Sequence, residues 1–207
     1  MSIEIWFAFI LAAAVVLVVP GPTIIFIVSR AVTHGRSAVV PLVLGQSTGD
    51  LTAMTFSMAG LGAVMASSAA LFTGLKWLGA LYLIYLGIKT WRSKPEKRAI
   101  DPSAVKQSKQ SLFQSAFIVT ALNPKSIAFF VAFLPQFINS RQDPLPQLLI
   151  LGTTFLCLAA INATIYAMFA GQLRDAMQNA TVQRWFQRCG GSALIGAGVV
   201  TATLQRN

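Results

Sequence analysis

Two side chains of opposite charge lie deep within apolar stretches of the sequence. Asp50 ends the string Gly45-Gln46-Ser47-Thr48-Gly49-Asp50, and Lys125 follows Asn123 and Pro124. Ionisable residues within membrane segments are costly and usually mark a substrate or ion pathway. The other acidic residues fall at segment ends or in loops, at Glu4, Glu96, Asp101, Asp143 and Asp175. Because a site with both charges suits a zwitterion, Asp50 and Lys125 predict a binding site for an amino-acid-like molecule.

Each of these charges also has a structural explanation. Asp50 can hold a neighbouring helix in place, and Lys125 can extend its ammonium group toward a membrane interface. The position of Lys125 well inside its apolar segment disfavours the second explanation. We therefore interpret Asp50 and Lys125 as binding and coupling groups, with Gln46 and Asn162 as further polar candidates. For Asn162, hydrogen bonding between helices explains the residue as well as ligand contact does.

Prolines interrupt the two apolar segments that flank these candidates. Pro20-Gly21-Pro22 lies inside the run from Ile3 to Val28, and Asn123-Pro124 lies inside the run from Leu112 to Ile138. A proline breaks the helical hydrogen-bond ladder, which leaves the carbonyl groups of residues 16–19 without helical partners.

A new helix is expected to begin after each break, with Gly21 or Asn123 as its cap and Pro22 or Pro124 at its first position. The free N–H groups of these helix starts can hold an anion. Irregular backbone at membrane depth survives only inside protein or beside a wet cavity. The breaks therefore predict the walls of a substrate site.

The elements that position these residues are apolar helices. Of the 207 residues, 55% are hydrophobic and 11% are charged, with a mean hydropathy of +0.66. Soluble domains are about 45–50% apolar and about 25% charged. The composition thus predicts an all-α, polytopic membrane protein of one domain over residues 1–207. Six segments approach the length of about 20 apolar residues that a membrane span needs, at about 3–28, 38–64, 69–90, 112–139, 146–170 and 189–204.

The six segments divide into two halves around a basic linker. Repeat one covers about residues 1–91, the cytoplasmic linker about 92–111, and repeat two about 112–207. Three spans in each half force the halves into opposite orientations, and the first helix of each half is broken at proline. Interrupted segments at matching places in inverted repeats are the pattern of secondary transporters. Before the last segment, residues 172–188 are expected to form a helix along the membrane surface.

The net charge of +10 is interpreted as a topology signal, because cytoplasmic loops of membrane proteins collect Lys and Arg. The loops after the first, third and fifth segments hold 12 of the 16 Lys and Arg residues. Both termini are therefore predicted to be extracytoplasmic. The expected partners are the lipid bilayer, a small-molecule substrate and protons, with no nucleic acid; a homodimer stays an open option.

The sequence contains no pattern typical of a cofactor, a metal site or a catalytic site. Cys157 and Cys189 form no metal-ligand spacing and are expected to pack in apolar surroundings. No HExxH string is present, and Asp50 has no second intramembrane aspartate. An intramembrane enzyme is therefore the least supported alternative. A structural or pore-forming membrane protein is the other alternative, but lone charges of opposite sign differ from the rings of like charge that line pores.

The motifs together resemble the lysine exporter and homoserine/threonine exporter family of bacterial amino-acid efflux proteins. The resemblance runs in order and spacing along the whole chain. It rests on Pro20-Gly21-Pro22, Gly35, Gly45-xxx-Gly49-Asp50, Asn123-Pro124-Lys125, Phe129-Phe130, Phe133-Leu134-Pro135-Gln136-Phe137 and Ala193-Leu194-Ile195-Gly196-Ala197-Gly198.

This resemblance implies proton-driven export of amino acids or close derivatives, such as homoserine, threonine or lysine, across the inner membrane. It places the following residues on motif positions of the family: Pro20, Gly21, Pro22, Gly49, Asp50, Asn123, Pro124 and Lys125.

The charge distribution gives a testable topology. A phosphatase that is active only outside the cytoplasm should be active when fused after Asn207, because the C-terminus lies opposite the basic loops. The same phosphatase inserted into the basic linker is the control and should be inactive. Fluorescence from a cytoplasm-dependent reporter fused after Asn207 would contradict both the number of segments and their orientation.

Overall fold

The computed structural model describes residues 1–67, 69–93, 107–139, 142–173 and 179–203. These residues are helical without a β-strand, as the composition predicts. We number the helices α1 Ile3–Val18, α2 Pro22–His34, α3 Val39–Ser67, α4 Ala69–Arg92, α5 Lys109–Ala121, α6 Pro124–Ala128, α7 Pro144–Met168 and α8 Ala180–Thr203.

Length and hydropathy identify membrane-crossing candidates among the described residues. Helix α7 is long and apolar enough by itself to cross a membrane. Two more candidates arise if each bent pair is one span: Ile3–Val18 with Pro22–Gly60, bent by 55°, and Lys109–Ala121 with Pro124–Phe137, bent by 42°. The all-α prediction is confirmed, and the count of six spans stays a prediction.

Both broken helices separate at the prolines expected from the sequence. Helix α1 ends at Val18, and α2 begins at Pro22 with Gly21 as an extended N-cap residue at φ −92° and ψ −173°. Asn123 caps α6, where its Oδ1 atom accepts a hydrogen bond of 3.0 Å from the Lys125 backbone N–H. Pro22 and Pro124 occupy the first position of their helices. A backbone N–H group at this position has no partner within the helix, so proline, which lacks the group, is tolerated there.

The segment after α6 leaves regular α-helical geometry twice. Phe129–Phe133 forms a π-helical turn and Leu134–Phe137 forms a 3₁₀ turn. Pro135 lies in the 3₁₀ turn, where proline cannot continue the hydrogen-bond ladder of a regular helix. The π turn packs against α7: the ring of Phe129 stacks on the ring of Phe155, with 5.3 Å between the ring centroids.

The cytoplasmic loop expected after the first segment is helical instead. Helix α2 continues to His34 and joins α3 through a 3₁₀ turn, Gly35–Ala38. Gly35 has φ +65°, a backbone conformation that favours glycine. His34 Nε2 accepts a hydrogen bond of 2.7 Å from the Gln107 backbone N–H, while its Nδ1 atom lies 3.0 Å from the Arg30 carbonyl oxygen. This ring ties the end of α2 to the residues that precede α5.

The last helix differs from its prediction. A surface helix over 172–188 was expected before a separate segment at 189–204, but one helix, α8, runs from Ala180 to Thr203. Residues 174–178, like most of the basic linker at 94–106, lie outside the described residues. Cys157 and Cys189, for which the sequence predicts packing in apolar surroundings, are both exposed on the protein.

Glycine allows two pairs of helices to pack closely. A Cβ atom added at Gly49 would lie 2.8 Å from both the Phe117 carbonyl oxygen and the Thr120 Cβ atom on α5. A Cβ atom added at Gly191 on α8 would lie 2.7 Å from the Gly87 carbonyl oxygen on α4. Small residues of this kind permit close backbone approach between membrane helices. The predicted Gly45 and Gly49 pair is therefore a contact surface for α5.

Two of the three apolar clusters in the described residues surround the broken helices. One joins α2, α3, α5 and α7 around Ile27 and Leu42, and the other joins α1, α7 and the π turn around Phe9, Phe130 and Leu151. All five side chains are fully buried. The two clusters lie at opposite ends of the broken helices, and polar residues collect where they meet.

Gly45→Ala should destabilise the protein, because the new methyl group would meet the Phe113 carbonyl oxygen and the Ala116 Cβ atom. Overpacking of this kind typically costs about 1–3 kcal/mol. The measurement is thermal unfolding of the purified protein in detergent. Gly60→Ala on the same helix is the matched control, since nothing lies within 4 Å of its added Cβ atom. Equal melting temperatures for the two variants would mean that close packing of α3 on α5 does not limit the size of residue 45.

Candidate functional site

A small cavity of about 40 Å³ lies where the two apolar clusters meet. Ile24 lines it from one cluster, and Phe129 and Phe155 line it from the other. The remaining lining residues come mostly from the helix breaks and from the polar face of α3. A buried water needs at least about 10–15 Å³ of such volume, so the cavity has room for about three waters. An amino acid fits only if the surrounding helices move apart.

Side chains from the second half of the chain satisfy the carbonyl groups at the end of α1. Lys125 Nζ donates to the carbonyl oxygens of Val16 at 2.6 Å and Val19 at 2.8 Å. Asn162 Nδ2 donates to the Leu17 oxygen at 3.1 Å, and the Tyr166 hydroxyl group donates to the Val18 oxygen at 2.7 Å.

The sequence leaves these four carbonyl groups without helical partners, and the fold supplies one for each of them. A cation at this position is also favoured by the negative end of the α1 dipole. The end of α1 therefore depends on α6 and α7.

The starts of α2 and α6 are joined by a second buried network. Asn123 Nδ2 donates a hydrogen bond of 3.0 Å to Thr23 Oγ1, and the Thr120 hydroxyl group lies 3.5 Å from the same oxygen. All three side chains are buried. Asn123 thus uses its amide oxygen to cap its own helix and its amide nitrogen to hold the other broken helix. This contact fixes the two helix breaks against each other.

Asp50 faces the cavity from α3, only 3% exposed. Its Oδ2 atom accepts a long hydrogen bond of 3.4 Å from Gln46 Nε2, and Ser126 lies beside the carboxylate. Lys125 lines the same cavity and interacts electrostatically with Asp50, although its own hydrogen bonds go to the α1 carbonyl groups. The two side chains therefore line one cavity.

The structure brings five of the predicted residues to the cavity and places the others around it. Lining residues are Gly21, Gln46, Asp50, Asn123 and Lys125.

The three prolines, Pro20, Pro22 and Pro124, shape the helix breaks. Gly49 packs against α5, and Asn162 caps α1 from α7. Asp50 is the carboxylate of this site, and the described part of the chain contains no group of three His, Cys, Asp or Glu side chains that could hold a metal.

Several contributing residues escape the sequence reasoning. Thr23 and Ser126 are ordinary hydroxyl residues at helix starts, and Tyr166 resembles an interfacial anchor. One signal was present for Tyr166: it follows Asn162 by one helical turn, so both side chains reach the same neighbour.

Comparison with known proteins identifies the family of the chain. The family model for LysE type translocators matches residues 14–205. The chain belongs to the LysE type translocator family. Its members are translocators, so this protein is a multi-pass membrane transport protein and not an enzyme. The resemblance expected from the motifs is confirmed.

Individual relatives of this LysE type translocator cover nearly the whole chain. The homoserine/homoserine lactone efflux protein of Salmonella typhimurium is 34% identical over 205 residues, covering 98% of both chains. The leucine efflux protein of Enterobacter sp. is 28% identical over 196 residues, covering 94% of this chain and 89% of its own. An uncharacterized membrane protein of Vibrio cholerae is 34% identical over 203 residues, covering 98% of both chains. No solved structure matches the chain.

Tyr166→Phe should destabilise this translocator, because it removes the hydroxyl group that donates to the Val18 carbonyl oxygen. Loss of one such hydrogen bond typically costs about 0.5–1.5 kcal/mol. Thermal unfolding in detergent measures the effect. Tyr85→Phe is the matched control, since it removes the same hydroxyl group from an exposed side chain. If both variants unfold at the wild-type temperature, the side-chain capping of α1 contributes nothing to stability.

Proposed function

We propose that this protein is a secondary transporter that exports amino acids or close derivatives across the inner membrane in exchange for protons. The observation that carries the proposal is the cavity between the two helix breaks, where Asp50 and Lys125 offer both charges. The relatives named as efflux proteins for homoserine, homoserine lactone and leucine support an amino-acid substrate.

We propose two inverted repeats, at about 1–91 and 112–207, with six spans and both termini outside the cytoplasm. The helix pairing supports this arrangement. Helix α3 packs on α5, and α7 packs on α1 and α2, so each half's second span contacts the other half's first. The third spans, α4 and α8, pack on each other. Exchanging the halves leaves this set of contacts unchanged, as expected for a pseudo-two-fold axis.

The carboxylate of the substrate is proposed to bind at the start of α2. Gly21 has no side chain to cap this helix, so its first N–H groups are free to face the cavity. Lys125 lies against this helix start, because a Cβ atom added at Gly21 would be 3.3 Å from Lys125 Cδ. A cation and a helix N-terminus together form a site for a carboxylate. The substrate ammonium group then faces Asp50.

Asp50 is proposed as the coupling group. An ionised carboxylate is tolerated in a buried site when a cation faces it, and it otherwise takes up a proton. Opening of the cavity without substrate would separate Asp50 from Lys125, and Asp50 would then take up a proton. Binding of the substrate ammonium group, or closing that restores the pair with Lys125, would release this proton. Alternating between these states links one proton to each transport cycle.

The decisive experiment separates uphill transport from exchange in proteoliposomes. Wild-type protein should show counterflow of homoserine or leucine and should accumulate the same amino acid when a proton gradient is imposed. Asp50→Asn should keep counterflow, at a weaker substrate affinity because the ammonium group loses its ionic partner. It should lose accumulation, because an amide group cannot take up and release a proton. Both activities are measured across pH 6 to 8.

Asp143→Asn is the matched control, because it makes the same chemical change at the exposed N-cap of α7. Asparagine is also a good N-cap residue, so the helix should keep its cap. Accumulation by Asp50→Asn at the wild-type level would exclude Asp50 from coupling. Solute flux without counterflow in the wild-type protein would indicate a pore and would overturn the transporter proposal.

A further inference from the structure

One buried acceptor in the cavity has no hydrogen-bond partner. Gln46 is 3% exposed and lines the cavity one helical turn before Asp50. Its Oε1 atom is buried, and no group among the described residues donates to it. An unsatisfied buried carbonyl oxygen is destabilising, and native proteins contain few of them. Because Gln46 lines the cavity, a group that enters the cavity as the helices move apart can supply the missing donor.

The neighbours of Gln46 fix which way its amide group points. The Nε2 atom lies 3.4 Å from Asp50 Oδ2 and 3.4 Å from the Ala159 carbonyl oxygen. Both partners are acceptors, so rotating the amide group by 180° would place three oxygens together. The two contacts of Nε2 therefore fix the orientation of the amide group and leave Oε1 without a donor. The other two unsatisfied buried atoms in the described residues, Arg30 Nε and Gln107 Oε1, do not line the cavity.

The charge around Gln46 selects the kind of donor. Asp50 is bonded to the same amide group and supplies a negative charge beside the free acceptor. The Lys125 ammonium group donates to the Val16 and Val19 carbonyl oxygens and not to Gln46 Oε1. A cation with several N–H donors suits a carboxylate next to an amide oxygen better than a neutral hydroxyl group does. A primary ammonium group meets this description.

We infer that Gln46 Oε1 and Asp50 together form the subsite for the α-ammonium group of the substrate. This inference rests on the proposed transport function and extends it to substrate choice. The transported compounds carry a free α-ammonium group, and their des-amino analogues are rejected. A site built to hydrogen-bond a substrate N–H group discriminates strongly against a compound without it, because its own buried polar groups then stay unpaired.

The test compares amino acids with their des-amino analogues in wild-type protein and in Gln46→Met. The probes are homoserine with 4-hydroxybutanoate and leucine with 4-methylpentanoate, used as competitors of counterflow in proteoliposomes. In wild-type protein the analogue should compete at least ten-fold more weakly than its amino acid. In Gln46→Met, affinity for the amino acid should fall about ten-fold, while the weak competition by the analogue should be unchanged. Gln136→Met, outside the cavity, is the matched control.

Each outcome bears on the inference. Equal losses for amino acid and analogue in Gln46→Met would mean that Gln46 shapes the cavity without binding the ammonium group. Unchanged affinities would mean that the acceptor binds only water; transport itself would stand in both cases. Wild-type protein without counterflow of any amino acid would instead refute the proposed function. If Gln46→Met does not fold, equal competition by analogue and amino acid in wild-type protein still overturns the inference.

Discussion

The structure depends on how the carbonyl groups at the end of α1 are satisfied. Pro20 and Pro22 prevent the helix from continuing, so the oxygens of residues 16–19 have no partners within it. The core of a membrane contains no bulk water that could replace these partners, so each carbonyl group without a hydrogen bond destabilises the fold. Donors from α6 and α7 meet this need. The break thus obliges the second half of the chain to pack against the first.

The same constraint gathers the polar residues of the cavity. Lys125 is drawn to the end of α1, which brings the start of α6 beside the start of α2. Asn123 then joins both helix starts through Thr23. Asp50 reaches this region because α3 lies close to α5, an approach that Gly49 permits. Stability and the candidate site therefore share their residues, and any movement that opens the cavity must exchange some of these hydrogen bonds for contacts with substrate or water.

Much of the candidate site follows from the sequence because it depends on local chemistry. Proline has no N–H group wherever it occurs, so the breaks at Pro22 and Pro124 are predictable without a fold. Asn123 is a strong N-cap residue, and its capping bond forms within its own helix. Asp50 stands out by its charge against an apolar background. Local patterns failed to predict the last helix, because no sequence signal indicated that residues 180–188 and 189–203 form one continuous helix, α8.

Partnerships between distant residues were decided only by the tertiary structure. The sequence shows that the α1 carbonyl groups need donors and that Lys125, Asn162 and Tyr166 can donate, but it does not match donor to acceptor, because each match joins residues more than 100 positions apart. The free acceptor of Gln46 likewise depends on Ala159 and Asp50 occupying its nitrogen. Chemical type and helix breaks are properties of short stretches of chain, whereas which oxygen stays unpaired is a property of the packed helices.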